Sequence, residues 1–265
     1  MKHIGKSYDK VDAKGILSGK PSYTGDFVPK DALIIKVLRS PHAQAKIKSI
    51  DTSKAKLIPG VEAIFTYEDV PNTRFTLAGQ TYPEPSAYDA LILDSVVRYV
   101  GDEVALVVAK DEATALKAMP LIKVEYEVQK PVLDLRTAMD HETVVHPEDD
   151  ILNHIPVGQD YKRNICVSYH KRVGDIEGEL AKCDYVVEGT YFDQATRQSA
   201  MEPFQSFGYI DHLGRIVIVS STQIVFHVRR HIARALGIPA SKIRVIKPRI
   251  GGGFGSKQTA CTELM

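Results

Sequence analysis

Apolar and polar residues alternate strictly along Ile122 to Val128, which predicts a strand with one buried face. Ala32 to Leu38, Ala45 to Ser49 and Val61 to Thr66 read as strands too, and Val104 to Ala109 is an apolar strand. Between them, Thr52 to Lys56 fits a short helix, Pro59-Gly60 a turn, and Tyr67 to Pro71 a helical turn. Glu112 to Met119 carries Ala113, Ala115, Leu116 and Ala118, good helix formers, with Pro120 beginning or bending the final turn. Pro71 to Tyr88, rich in Pro, Thr, Gly and Tyr, reads as a long irregular loop. Behind a leader at residues 1–18, these elements predict one α+β domain over residues 19–128.

Residues 129–160 change character: Pro131, Pro147 and Pro156 accompany the acidic run Glu148-Asp149-Asp150, the pattern of an exposed linker with a solvated charge cluster. His141, His146 and His154 share this segment, but their spacings fit neither a helical ligand pair nor a zinc finger. From residue 161 to 265 the pattern resumes. Val167 to Lys171 and Asp184 to Tyr191 look like strands, and Ile176 to Lys182 like a helix. Phe207 to Ile210 pairs with Arg215 to Ser220 across the turn at 211–214. Ser221-Thr222 supplies N-cap hydroxyls to a helix marked by Ile224, Val225, Val228, Ile232 and Leu236, which Gly237 and Pro239 end. Arg229, Arg230, His231 and Arg234 read as the solvated face of that helix. A second strand, Lys242 to Lys247, then delivers Gly251-Gly252-Gly253-Phe254-Gly255-Ser256-Lys257-Gln258.

Four glycines in five positions leave main-chain N–H groups open to an anionic or strongly polar ligand, and placement just past a strand end suits such a site. A plain glycine-rich turn fits equally well at this point. Two phosphate motifs fail: Ser256 separates Gly255 from Lys257, so no Gly-Lys-Ser/Thr P-loop exists, and Ser256 also stands where a dinucleotide fingerprint needs its third glycine.

Composition narrows the field further. With 34 basic and 33 acidic residues the formal charge is +1, which gives no general attraction for nucleic acid or acidic membranes. No apolar run is long enough to span a membrane, and Met1-Lys2-His3-Ile4-Gly5-Lys6 lacks the apolar core of an export signal, so cytoplasm is the expectation. Three scattered cysteines, Cys166, Cys183 and Cys261, cannot by themselves hold an iron–sulfur cluster, and each reads as a small buried hydrophobe.

Ser221-Thr222-Gln223, the helix, Leu236-Gly237-Ile238-Pro239 and Arg249 to Lys257 together resemble the molybdenum-binding part of the xanthine dehydrogenase and aldehyde oxidase family. Arg39-Ser40-Pro41-His42-Ala43, Pro59-Gly60-Val61, Val97 to Asp102 and Val124 to Glu127 resemble that family's α/β hammerhead domain. The resemblance implies a hammerhead domain followed by the first part of a mixed α+β molybdopterin-binding domain. It implies molybdenum on molybdopterin, in the cytosine dinucleotide form, with [2Fe-2S] and FAD on partner subunits. It implies hydroxylation of a purine, N-heterocycle or aldehyde with water as the oxygen source. Gln223 matches a glutamine that hydrogen-bonds an apical ligand of molybdenum without binding the metal itself; Gly252, Gly253, Phe254 and Gly255 match the loop that closes over the cofactor. Phe254 and Gln258 match substrate-side positions, although Gln258 stands where xanthine dehydrogenases carry glutamate and Ser256 where glycine is common. Glu202 is a tempting base, but its Met-Glu-Pro phrase belongs to the family's framework, as do His42 and Asp102 by their turn contexts. The family's catalytic glutamate has no counterpart in these 265 residues, so the remaining part of the molybdenum subunit is an expected partner, and a non-catalytic module is the competing reading.

Overall fold

The computed structural model describes residues 3–77, 81–260 and 262–264. Cys261, one of the three cysteines, lies outside them. Among the described residues, nine strands form three small sheets. In the first, β5 (Glu103–Ala109) lies between β1 (Ile34–Arg39) and β3 (Val61–Phe65), antiparallel to both. Because β5 is covered on both faces, it is apolar from Val104 onward, with Val104, Ala105, Val107 and Ala109 at zero exposure. In the second, β2 (Ala45–Asp51) runs between β4 (Val96–Val97) and β6 (Lys123–Val128). Here Ala45 and Ile47 turn inward while Lys46 and Lys48 face water, the period-two pattern of a one-sided sheet.

Between these sheets, α2 (Ser53–Lys56) and α3 (Glu112–Ala118) close the first core with Ala55, Ala115 and Ala118. The Asp111 carboxylate accepts from the Thr114 N–H at 2.8 Å and so caps α3, and Pro120 sits in the 3₁₀ turn that follows. A short α1 (Ala13–Leu17) precedes this lobe, and α4 (Ile176–Leu180) follows it.

The third sheet pairs β7 (Ser206–Ile210) antiparallel with β8 (Ile216–Ser220), and β8 parallel with β9 (Ile243–Ile246). A parallel neighbour demands a crossover, which α5 (Val225–Ala235) supplies by laying Val228 and Ile232 over Ile243 and Ala260. Beyond residue 128 the chain is anchored more firmly than an exposed linker would be. Glu148 pairs with the largely buried Arg98, Asp150 with Arg74 at 2.7 Å and Asp149 with Lys162 at 2.7 Å; Asp149 and Asp150 stay in solvent at 92% and 64% exposure, so the run is solvated except at Glu148.

Several expectations do not hold. Tyr67 to Pro71 forms turns without a helix, and neither Val167 to Lys171 nor Asp184 to Tyr191 forms a strand. Tyr185, Val187 and Tyr191 are at least 90% exposed: the pattern favours a strand, but no neighbour among the described residues pairs with it. Cys166 and Cys183 are exposed rather than buried.

Ile64, 4% exposed in the first core, provides a stability test. Ile64→Ala is expected to cost about 2–5 kcal/mol in urea unfolding, whereas Leu133→Ala, at an 81%-exposed position, should change it little.

Candidate functional site

The site is assembled where β8 ends and the glycine stretch begins. β8 finishes at Ser220, and the chain then turns through Ser221, Thr222 and Gln223 into α5. The Gln223 N–H donates to the Lys257 carbonyl at 2.9 Å, which ties the start of this crossover to the end of the glycine arc. The Ile224 N–H donates to Thr222 Oγ1 at 3.1 Å, so the hydroxyl expected as a helix cap fixes this turn instead, one residue before α5.

Glu202 joins the two strands of the site. Its Oε2 accepts from Ser221 Oγ at 2.6 Å, from the Gly251 N–H at 2.6 Å and from Lys257 Nζ at 3.0 Å; its Oε1 accepts from Gln205 Nε2 at 3.0 Å. Lys257 Nζ also donates to Ser221 Oγ at 2.7 Å. The Glu202 N–H in turn donates to the Gly251 carbonyl at 3.1 Å. The Lys257 side chain is 1% exposed and that of Glu202 8%, so this is a buried ion pair, further hydrogen-bonded through Ser221, Gly251 and Gln205. Burial pushes the Glu202 carboxyl up, but the donors from Gly251, Ser221, Lys257 and Gln205 outweigh it and hold the group below the usual carboxylate range.

This network determines what the glycines are for. A Cβ on Gly251 would stand 2.6 Å from the Glu202 Cβ, and one on Gly253 would stand 2.5 Å from Gln223 Oε1. Both glycines are therefore needed by close approach to the chain's own side chains, not by a ligand lying on them. Gly255 is different: at φ +90° it has nothing within 4 Å on its side-chain side, so that face of the arc is open. Ser256 donates from both N–H (2.8 Å) and Oγ (2.6 Å) to the Gly253 carbonyl and closes the turn. Phe254 takes φ +49°, a left-handed conformation costing about 1–2 kcal/mol in a non-glycine residue, and its side chain is 74% exposed. Gln258 continues the turn, its N–H donating to the Gly255 carbonyl at 3.2 Å.

Gln223 and the glycine arc, 30 residues apart in sequence at Gly253, thus form one wall. Gln223 Oε1 is buried there without a hydrogen-bond partner, a polar atom suited to a ligand that completes the site. Glu202 appears as a framework residue within it. Ser221 and Gln205 carried no motif that marked them, and Lys257 was visible only as a residue that breaks the P-loop pattern.

The supposed solvated face of α5 is not solvated. His231 is 4% exposed, Arg230 donates to buried Glu84 at 2.8 Å, and Arg234 donates to the Arg74 carbonyl at 2.7 Å while lying 4.5 Å from the centre of the Tyr88 ring. Sequence position alone could not show that Arg74, Glu84 and Tyr88 of the first lobe pack on this helix.

Residues 157–265, which hold this wall, match the model of a molybdopterin cofactor-binding domain, and residues 18–130 match the aldehyde oxidase and xanthine dehydrogenase a/b hammerhead domain. With both models accounting for most of its length, the chain belongs to the xanthine dehydrogenase and aldehyde oxidase family, within the molybdopterin-binding part of its members. It is 40% identical over 284 aligned residues to "Probable hypoxanthine oxidase XdhD" of Escherichia coli (strain K12), covering 98% of this chain and 30% of that protein. It is 35% identical over 261 residues to the xanthine dehydrogenase molybdenum-binding subunit of Escherichia coli O157:H7, covering 97% and 33%. The crystal structure of quinoline 2-oxidoreductase from Pseudomonas putida 86 superposes with a TM-score of 0.78 at 30% identity, over 96% of this chain and 31% of that one. The chain therefore spans about a third of the length of these relatives.

The buried pair supplies a direct test. Lys257→Met leaves Glu202 without its cation and should cost about 3–5 kcal/mol in unfolding at neutral pH, and Glu202→Gln/Lys257→Met together should cost less than the sum of the single changes. Since the folded Glu202 pKa is depressed, its contribution is present above the unfolded carboxylate value and is lost as pH falls through the folded one. Wild-type stability should accordingly decline more on acidification than that of the double variant.

Proposed function

We propose that this chain forms part of the molybdenum-bearing subunit of a molybdenum hydroxylase, and that Gln223 with the 252–255 arc makes one wall of its cofactor pocket. The observation carrying this reading is the buried, unpartnered Gln223 amide oxygen set against Gly253, beside an arc whose Gly255 face is open. In this reading residues 19–128 are the hammerhead domain, 129–160 a linker and 161–265 the opening part of the molybdopterin-binding domain.

The donor set fits the cofactor. Gln223 offers a neutral amide: its Nε2–H can donate to a ligand of the metal without competing as one, and its buried Oε1 is left to accept from a donor on the cofactor side. Gly252, Gly253 and Gly255 offer backbone groups, and the side-chain side of Gly255 is open space that a cofactor can enter. Phe254, held outward by its left-handed backbone, and Gln258 border the substrate side. Gln258 both donates and accepts, which suits an N-heterocycle or aldehyde as well as a purine. When bound, molybdenum on molybdopterin, here in the cytosine dinucleotide form, supplies the two-electron oxidation and the activated water-derived oxygen.

None of the chain's own residues is assigned as the catalytic base; that group belongs to the remaining part of the subunit. The exposed Tyr185, Val187, Tyr191 and Met201 support that division, since they are apolar surface that the rest of the domain would cover. The 265 residues alone are expected to be inactive. Iron–sulfur and FAD subunits complete electron transfer, a cytoplasmic setting is assigned, and no helix among the described residues is long and apolar enough to cross a membrane.

The complex purified from its source should contain molybdenum and pterin and should oxidise at least one member of a panel of purines, N-heterocycles and aldehydes. Gln223→Ala in that complex should lower molybdenum content or turnover by roughly 10–100-fold with unfolding little changed. Full molybdenum content and full turnover in the variant would remove Gln223 from the site.

A further inference from the structure

On α5 and the first lobe, Glu84, His227 and His231 bring ligand atoms within 4.8 Å of one another. His227 and His231 are one helical turn apart, i and i+4, so both rings leave the same face of α5. Glu84 arrives from the first lobe, 2% exposed, held by the Tyr88 hydroxyl at 2.9 Å. At present a cation already sits among them: Arg230 Nη2 is 2.8 Å from Glu84 Oε1 and 2.9 Å from His227 Nδ1. Guanidinium only donates, so His227 Nδ1 must carry its lone pair toward it. His231 Nε2 lies 3.8 Å from the same Glu84 oxygen. A carboxylate and one imidazole therefore face a single cationic position, with the second imidazole beside the same carboxylate oxygen.

We propose that Glu84, His227 and His231 form a zinc-type divalent-metal site that binds its ion when Arg230 swings aside, cross-linking the first lobe to the helix that begins beside Gln223. Arg230 can leave: its side chain is 32% exposed, and its other contacts are the Thr81 carbonyl at 3.3 Å and the Tyr82 ring at 4.8 Å. Two histidines and one carboxylate are a zinc donor set, with metal–ligand distances of about 2.0–2.1 Å and a fourth position for water. Tetrahedral ligands stand ~3.3 Å apart, so side-chain adjustments of about 1 Å close the site. A divalent ion then neutralises Glu84 in place of the guanidinium, which returns to solvent. The site is separate from the molybdenum reading and does not rest on it.

The test is equilibrium dialysis of the full-length protein against Zn²⁺, with zinc counted by mass spectrometry of the metal and the melting temperature followed in parallel. A Cys166→Ser/Cys183→Ser background removes the two exposed thiols as competing ligands. One zinc per chain is expected, with a zinc-dependent rise in melting temperature. Affinity should fall by roughly 10-fold or more in His231→Ala and in His227→Ala, and should rise in Arg230→Gln, whose unpaired Glu84 zinc would rescue. Zinc binding that is unchanged by both histidine substitutions overturns the proposal. So does a wild-type protein that takes up no zinc, even if Arg230→Gln does, because the guanidinium would then exclude the ion.

Discussion

A buried carboxylate with four donors holds the candidate pocket together. Glu202 reaches at once to Ser221 at the end of β8, to the backbone of Gly251 and to Lys257 beyond the arc. Charge-assisted hydrogen bonds of this kind are short and directional, and burying the pair makes any loosening costly, since each partner would be left as an uncompensated charge. Gln223 is placed as a consequence. Its N–H is bonded to the Lys257 carbonyl, so the crossover into α5 and the glycine arc move as one unit. The glycines follow from the same constraint: at Gly251 and Gly253 the side chains of Glu202 and Gln223 occupy the space a Cβ would need.

Much of the architecture was legible from local signals. β5, α3, β6 and the β8–α5–β9 crossover lie close to where periodicity and capping residues put them, because their own cores reward the pattern. The failures share a physical cause. A strand pattern at 184–191 has no partner to pair with among the described residues, so propensity alone leaves it irregular and exposed. Within the acidic run at 148–150 only Glu148 departs from the solvated pattern, drawn in by Arg98, 50 residues away in sequence. Likewise the face of α5 reads as a solvated surface until Glu84, 146 residues before Arg230, is packed against it.

The site was legible in a different way. Gln223 and the glycine stretch were identified by family resemblance, and the fold brings them into contact at Gly253. The residues that hold them there were not legible, because a lone Glu, Ser or Lys in a sequence does not announce a buried partner dozens of positions away. Side-chain freedom at the arc is also uneven, with Gly255 open and Gly251 and Gly253 closed, a distinction no spacing rule carries.

The account's central claim is that the Gln223–glycine arc wall faces molybdenum. An anomalous-difference map of the complex purified from its source, collected at the molybdenum edge, measures this most directly. The prediction is a single molybdenum peak on the open side of Gly255, within reach of a hydrogen bond from the Gln223 amide to a ligand of the metal. An ordered wall at Gln223 and Gly253 with the molybdenum peak elsewhere in the complex would contradict it.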